Sequence, residues 1–483
     1  MFKTERPANA WRCRTTDSPR LIWTTGRICV RAGIGENTTF RRFETFEAHR
    51  LNTFFGFTLP VCPLGLDDLF FCKTQSYSIF FVYIKISTHT QTFYINLNIL
   101  NYLEKVVICV IVDWLIVGAG FTGATLAERI ASQLDQKVLL VDRRDHIGGN
   151  SYDCYNEEGI LIHKYGSHTF HTNSSMVWNY LSRFTEWRHY FHNVLAVVDG
   201  KKVPVPFNLN SIYALFPQKY AEKLEELLIQ HYGYGVKVPI LKLRESASGD
   251  LIFLADYIYK KVFYHYTLKH WELNPEELDP SVTARVPVYI SRDNRYFQDT
   301  YQGIPKHSYA TLFSRMLNHP NIRVLLNTDY REIIGDIKFK RMIYTGPIDA
   351  FFDYKHGTLP YRSLRFDFDT LNQEYFQEAG TINYTNEYEF TRILETKHLT
   401  GQISPKTTIT YVYPQQHNQQ NEPYYPIPRA ENRLLYNLYL KEAEQIKDKV
   451  LFAGRLADYK YYNMDQAVAR ALTLFKEIAE KRS

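Results

Sequence analysis

The sequence predicts an α/β protein in which a discontinuous nucleotide-binding sheet domain is interrupted by a helical insertion and by a second, antiparallel sheet. Three observations carry this expectation. VDWLIVGAGFTGATLAERI, residues 112–130, reads as strand, glycine turn and helix. KVLFAGRLADYKYYNMDQAVARALTLFKEIAEK repeats that order at the far end of the chain. Between them, amphipathic helical stretches give way to segments that alternate aromatic and polar residues. A chain of 483 residues, 45% hydrophobic and 22% charged, has enough apolar side chain for more than one core.

Residues 1–111 precede the first motif and show no sustained period of 3.6 or 2.0. The net charge of +6 divides into +5 here and +1 in the rest, so the region with the motif lacks the basic stripe of a nucleic-acid partner. Cys13, Cys29, Cys62, Cys72 and Cys109 also lie here, and Cys154 alone follows. We therefore expect residues 1–111 to be a disordered extension or an artefact of the assumed start, with the folded protein beginning near Val112. One later cysteine builds no disulfide framework and no Cys/His spacing suggests zinc, which predicts a reducing compartment and no metal. The N-terminus lacks the apolar region of a signal peptide, and VVICVIV is too short to span a bilayer. A cytoplasmic protein with no membrane partner is the expectation.

From Val112 the pattern is regular. WLIVGAG is a buried strand, and the next helix places Leu126, Ile130 and Leu134 on one face. KVLLVD is the second strand. NSIYALFPQKYAEKLEELLIQHYGYG and DLIFLADYIYKKVFYHYTLKHW read as helices of an insertion over 208–288. IRVLLNTDY and RMIYTGPID return to strand, and YRSLRFDF, TINYT and TTITYVYP supply a second sheet. The expected division is 112–190, 305–347 and 440–483 for the nucleotide-binding domain, and 191–207, 289–304 and 348–439 for the sheet domain.

Gly118, Gly120 and Gly123 have the GxGxxG spacing that permits a tight turn, close approach of a pyrophosphate, and helix–strand packing. Asp142 closes the second strand, placed to accept hydrogen bonds from a ribose hydroxyl. Gly148, Gly149 and Asn150 follow, and a second glycine loop, AGRLADY, returns near the C-terminus. A cofactor touched by both ends of the chain is long, which favours FAD over a nicotinamide dinucleotide.

KYGSHTFHTN, RVPVYISRDNRYFQDTYQGIP, TRILE, NEPYYPIP and GRLADYKYYNMDQAV, together with VGAGFTGATLAERI and DHIGGNSYD, stand in an order that resembles the bacterial UDP-galactopyranose mutase family over residues 112–483. The resemblance does not reach residues 1–111. It implies a Rossmann-like FAD domain and the interconversion of UDP-galactopyranose and UDP-galactofuranose on reduced FAD, through a covalent adduct of the sugar with flavin N5 and without net redox. A reductant such as NAD(P)H and a homodimer belong to the same expectation.

Residue by residue, the resemblance implies that Arg285 and Arg392 grip the diphosphate and that Tyr266 stacks on uracil, with Thr267 and Trp271 beside it. Asn193, Phe207, Asn208, Tyr296, Asn383, Tyr425 and Tyr461 match substrate contacts. His168 matches the histidine beside the flavin and counts with Arg285 and Arg392 as catalytic. Gly454, Arg455 and Met464 match the closing cofactor loop, with Thr122, Arg143, Thr169, Asp465 and Gln466 completing the cofactor set. At Asn463 this chain departs from the family's acidic residue, which removes a charge beside the substrate. Two alternatives stay open: an amine-oxidase-type flavoenzyme, which would not need two diphosphate arginines, and a catalytically silent sugar-nucleotide-binding protein.

Overall fold

The computed structural model describes residues 110–279, 287–386, 388–418 and 420–481, and in the earlier part the strands Trp23–Thr24, Thr39–Phe43, Asp68–Lys73, Phe80–Ser87 and Thr92–Ile99. They fall into two compact units, a smaller one over Trp23–Cys109 and a larger one containing everything from Val110 on. In the smaller unit the last four of these strands pair antiparallel in sequence order. Phe80–Ser87, FFVYIKIS, is rich enough in β-branched and aromatic residues to pair without strict alternation.

The larger unit is built on a parallel sheet. Its strands run Ile322–Leu326, Val138–Val141, Val110–Val117, Ile337–Tyr344 and Val450–Phe452 from one side to the other, every neighbouring pair parallel. The first strand starts at Val110, two residues before the expected boundary, because Val110 and Ile111 pair with Ile337 and Lys338. Val138–Val141 is buried along its whole length, as a strand covered on both faces must be. The opening helix, Phe121–Leu134, buries Ala124, Leu126, Ala127 and Ile130 against the sheet and against the closing helix, Met464–Glu480, which contributes Val468, Ala471, Leu474 and Ile478. The two ends of this unit therefore share one core.

A second sheet of seven strands runs in the order Lys201–Val205, Val194–Val198, Thr381–Tyr384, Arg392–Glu395, Thr407–Gln416, Tyr361–Leu371 and Tyr425–Pro426. It is antiparallel as expected except at one junction: Val194–Val198 and Thr381–Tyr384 are parallel. Those two strands come from segments far apart in the chain, so no hairpin dictates their direction.

The insertion packs Leu224, Leu228, Leu251, Leu254 and Ile258 against Val194, Ala196, Val203 and Val205 of that sheet. Its first helical stretch is two helices, Leu209–Leu215 and Gln218–Tyr232, because Pro217 cannot continue the first and instead precedes the second. The second stretch runs from Gly249–Ile258 through a π-helical turn, Tyr259–Tyr264, into His265–Trp271. Cys154 is disulfide-bonded, a pairing that the cysteine count after residue 111, taken alone, did not lead us to expect. Among the described residues no helix is long and apolar enough to cross a membrane.

Candidate active site

A cleft of about 590 Å³ opens where the carboxyl ends of the parallel strands meet the opening and closing helices. Gly118, Gly120, Thr122, Gly123, Asp142, Arg143, Gly149, Asn150, His168, Gly454, Arg455, Asn463 and Met464 all line it. The glycines are required by space. A Cβ on Gly123 would lie 1.9 Å from the Gly118 carbonyl oxygen, and one on Gly118, whose φ is +104°, would lie 2.0 Å from Thr345 Oγ1. Both helices start at this cleft, at Gly120 and at Asn463, so two positive dipole ends converge on it.

The Asp142 carboxylate accepts from Ala119 N at 2.8 Å and from Arg144 N at 2.9 Å, which locks the strand end to the glycine turn. Arg144 is the residue here that sequence reasoning passes over. Its guanidinium donates to Asn150 Oδ1 and pairs with Glu422, each at 2.9 Å, and lies over the Tyr165 ring. Arg143 also pairs with Glu422 but is 58% exposed, against 15% for Arg144. The signal was the Arg143–Arg144 pair itself, since one of two successive side chains past a strand end turns inward.

Three members of the expected cofactor set do not line the cleft. Thr169 is buried beside it. Asp465 accepts from Thr172 Oγ1 at 3.0 Å, and Gln466 accepts from Asn463 N at 2.9 Å. The last bond is half of a capping box: the Asn463 side chain accepts from the backbone of residue 466 in return. The residue that breaks the family pattern is thus the N-cap of the closing helix, a position that Asn and Asp fill equally well.

Beside the cleft lies an aromatic cluster, the candidate substrate pocket, assembled from four segments. Arg392 Nη1 is 3.4 Å from the Tyr266 hydroxyl. Tyr266 stacks on His270 with ring planes 10° apart, His270 and Trp271 meet Tyr425, and Tyr425 and Trp271 each meet Tyr461 edge-on. Arg455 joins this pocket to the cleft: it lines the cleft, its guanidinium lies 5.8 Å from the centroids of both Tyr425 and Tyr461, and its Nε donates to the Tyr462 carbonyl. Asn383 is the cross-strand partner of Arg392. Thr267 is buried on the helix of Tyr266.

The other expected substrate contacts make the following interactions. Asn208 is buried and spends its side chain on the fold, capping Leu209–Leu215 through Ser211 N and donating to Asp293 O and Asn294 Oδ1. Phe207 is buried in the insertion core. Asn193 forms an isolated bridge with Arg295, and Tyr296 N donates to the His192 carbonyl. Arg285 lies outside the described residues.

Desolvation, with Arg455 and Arg392 nearby, pushes His168 down to about 4, and its Nδ1 sits 2.7 Å from the Gly166 carbonyl. His168 is therefore neutral near pH 7, with Nδ1 protonated by that bond and Nε2 left as an acceptor. Among the described residues no group of three or more His, Cys, Asp or Glu is placed to hold a metal ion.

The family model for UDP-galactopyranose mutase matches residues 261–461, and that for an NAD(P)-binding Rossmann-like domain matches residues 116–184. Over 363 residues the chain is 35% identical to the probable UDP-galactopyranose mutase of Klebsiella pneumoniae, an overlap of 74% of this chain and 92% of that one. The chain belongs to the UDP-galactopyranose mutase family. It is also 33% identical over 366 residues to the dTDP-fucopyranose mutase of Escherichia coli, covering 74% of this chain and 96% of that mutase. A crystal structure of reduced UDP-galactopyranose mutase superposes with a TM-score of 0.59 at 14% identity, over 76% and 94% of the two chains, a likeness of fold.

As a member of the mutase family the chain is a flavin-dependent isomerase, and its cofactor is FAD. The cleft suits that group. At Gly118, Gly123 and Gly149 the floor leaves no room for a side chain, and two helix N-termini with Arg144 and Arg455 supply positive potential where a pyrophosphate would lie.

Proposed function

We propose that the protein interconverts UDP-galactopyranose and UDP-galactofuranose, the substrate lying in the aromatic pocket against the cofactor cleft. The observation that carries this is Arg392: a guanidinium set among Tyr266, Tyr425 and Tyr461, the last two of which also meet Arg455. Held by the glycine turn of Gly118, Gly120 and Gly123 with Arg455, reduced FAD would supply nucleophilic chemistry toward the sugar without net redox. Arg392 holds the diphosphate and stays charged throughout, which stabilises UDP as a leaving group. Tyr266 provides a flat face for uracil. His168, neutral and fixed by Gly166, offers an acceptor at the cleft wall. Arg285 takes the second diphosphate contact.

The 33% identity to a dTDP-fucopyranose mutase supports a second substrate pair, dTDP-fucopyranose and dTDP-fucofuranose. The test is to incubate dithionite-reduced protein with UDP-galactofuranose and, separately, with dTDP-fucofuranose, and to follow the pyranose products by chromatography. Turnover of the first alone supports the reading, and turnover of the second alone replaces it. Bound FAD and tight UDP binding without turnover would mark a silent binder. NAD(P)H as reductant, a homodimer and a cytoplasmic location complete the proposal, checked by flavin bleaching under nitrogen, sedimentation and cell fractionation.

A further inference from the structure

Arg362 is among the largest buried side chains of the described residues, 2% exposed, and it stands on the strand Tyr361–Leu371. Its Nε donates to the His270 carbonyl at 2.9 Å, its Nη1 pairs with Glu272 at 2.9 Å, and its Nη2 finds no partner among the described residues. His270 lies in the last turn of His265–Trp271, and Glu272 caps that helix with φ +55°. Carbonyls in a last turn lack helical partners and face the negative end of the dipole, so a guanidinium there satisfies and complements both.

The same residue is tied to the opposite wall of the pocket. Its carbonyl accepts from Tyr424 N at 2.9 Å, and its Cα is the cross-strand partner of Tyr425. Gln416, its neighbour on the other side, donates to the same Glu272 oxygen at 2.6 Å. For packing alone a hydrocarbon of similar volume would be cheaper than a buried guanidinium. Only a planar fork reaches a carbonyl and a carboxylate together.

We propose that Arg362 is a positioning residue for nucleotide recognition, clamping the helix that carries Tyr266 to the strand that carries Tyr425. The clamp acts through His270, whose carbonyl Arg362 holds and whose ring stacks on Tyr266 with centroids 6.0 Å apart. A shift at the helix end moves His270 and tilts the Tyr266 face. This inference rests on the reading of Tyr266 as the uracil platform.

The experiment titrates UDP into the FAD-loaded protein and into Arg362→Lys, Glu272→Gln and Tyr266→Ala, with steady-state kinetics in parallel and flavin absorbance and Tm as controls of folding. Arg362→Lys is expected to weaken UDP about tenfold and to raise KM alike with kcat within about twofold, and Glu272→Gln to do the same by about threefold, because the lost interaction is made equally in ground and transition states. Glu272 is 46% exposed, so its variant tests the clamp even if Arg362→Lys does not fold. Wild-type UDP affinity in both clamp variants, with Tyr266→Ala weakened, overturns the clamp, as does a fall in kcat at constant KM. Wild-type affinity in Tyr266→Ala overturns the platform itself.

Discussion

The cofactor cleft is made mainly of backbone and the substrate pocket mainly of side chains. At the cleft, Gly118, Gly123 and Gly149 keep side chains away, and the binding groups are helix N-termini. At the pocket, Arg392, Tyr425, Tyr461 and the helix of Tyr266 and Trp271 arrive from four segments and are held by ring contacts. A backbone site is destroyed by adding atoms. A side-chain site is emptied by removing them and leaves its neighbours folded.

The largest effect that separates the two is Gly123→Ala. Its Cβ would sit on the Gly118 carbonyl oxygen, so the purified protein should be colourless and inactive, and a flavin absorbance equal to wild type would break the comparison. Arg392→Ala should instead stay yellow while turnover falls by about 10²–10³-fold, the usual cost of losing one charge-stabilising donor. Equal loss of flavin in both variants would mean that the cleft and the pocket are one unit.

A third probe is acid. Burial holds His146 and His168 down to about 4, and His163, His192 and His270 to about 3. Each binds a proton more readily when unfolded, so their contribution to stability is full above about pH 6.5 and is lost as pH falls from there toward 3–4. Chemical denaturation across this range should show stability dropping with pH, and His270→Gln should flatten the slope by up to about 1.4 kcal/mol per pH unit. An unchanged slope would show that His270 does not stay neutral in the fold. The smallest effects are expected at Asn463. Asn463→Ala should cost about 1 kcal/mol through the lost cap and Asn463→Asp almost nothing, as thermal melts will report. Any change in sugar preference in Asn463→Asp then reflects charge alone.

The same contrast governs what could be read from the sequence. Gly118, Gly120 and Gly123 announce themselves because backbone conformation restricts residue type at fixed spacing. Nothing in spacing joins Tyr266 to Arg392 or Tyr461, and only the family resemblance brought them together. Asn208 shows what that route leaves out, the work a matched residue does in its own fold. A matched motif carried it into the substrate set, but its oxygen and amide are spent on Ser211, Asp293 and Asn294. The parallel pairing of Val194–Val198 with Thr381–Tyr384 was invisible because distant partners leave no local mark.

Gly118 and Gly454 face one cleft from opposite ends of the chain, and the closing helix completes the core under the opening one. During synthesis, the first glycine turn leaves the ribosome long before its counterpart exists. A polypeptide that stalls or is clipped before residue 454 lacks this wall of the cleft and is expected to be colourless. Flavin content is in this sense a certificate that the chain has been finished.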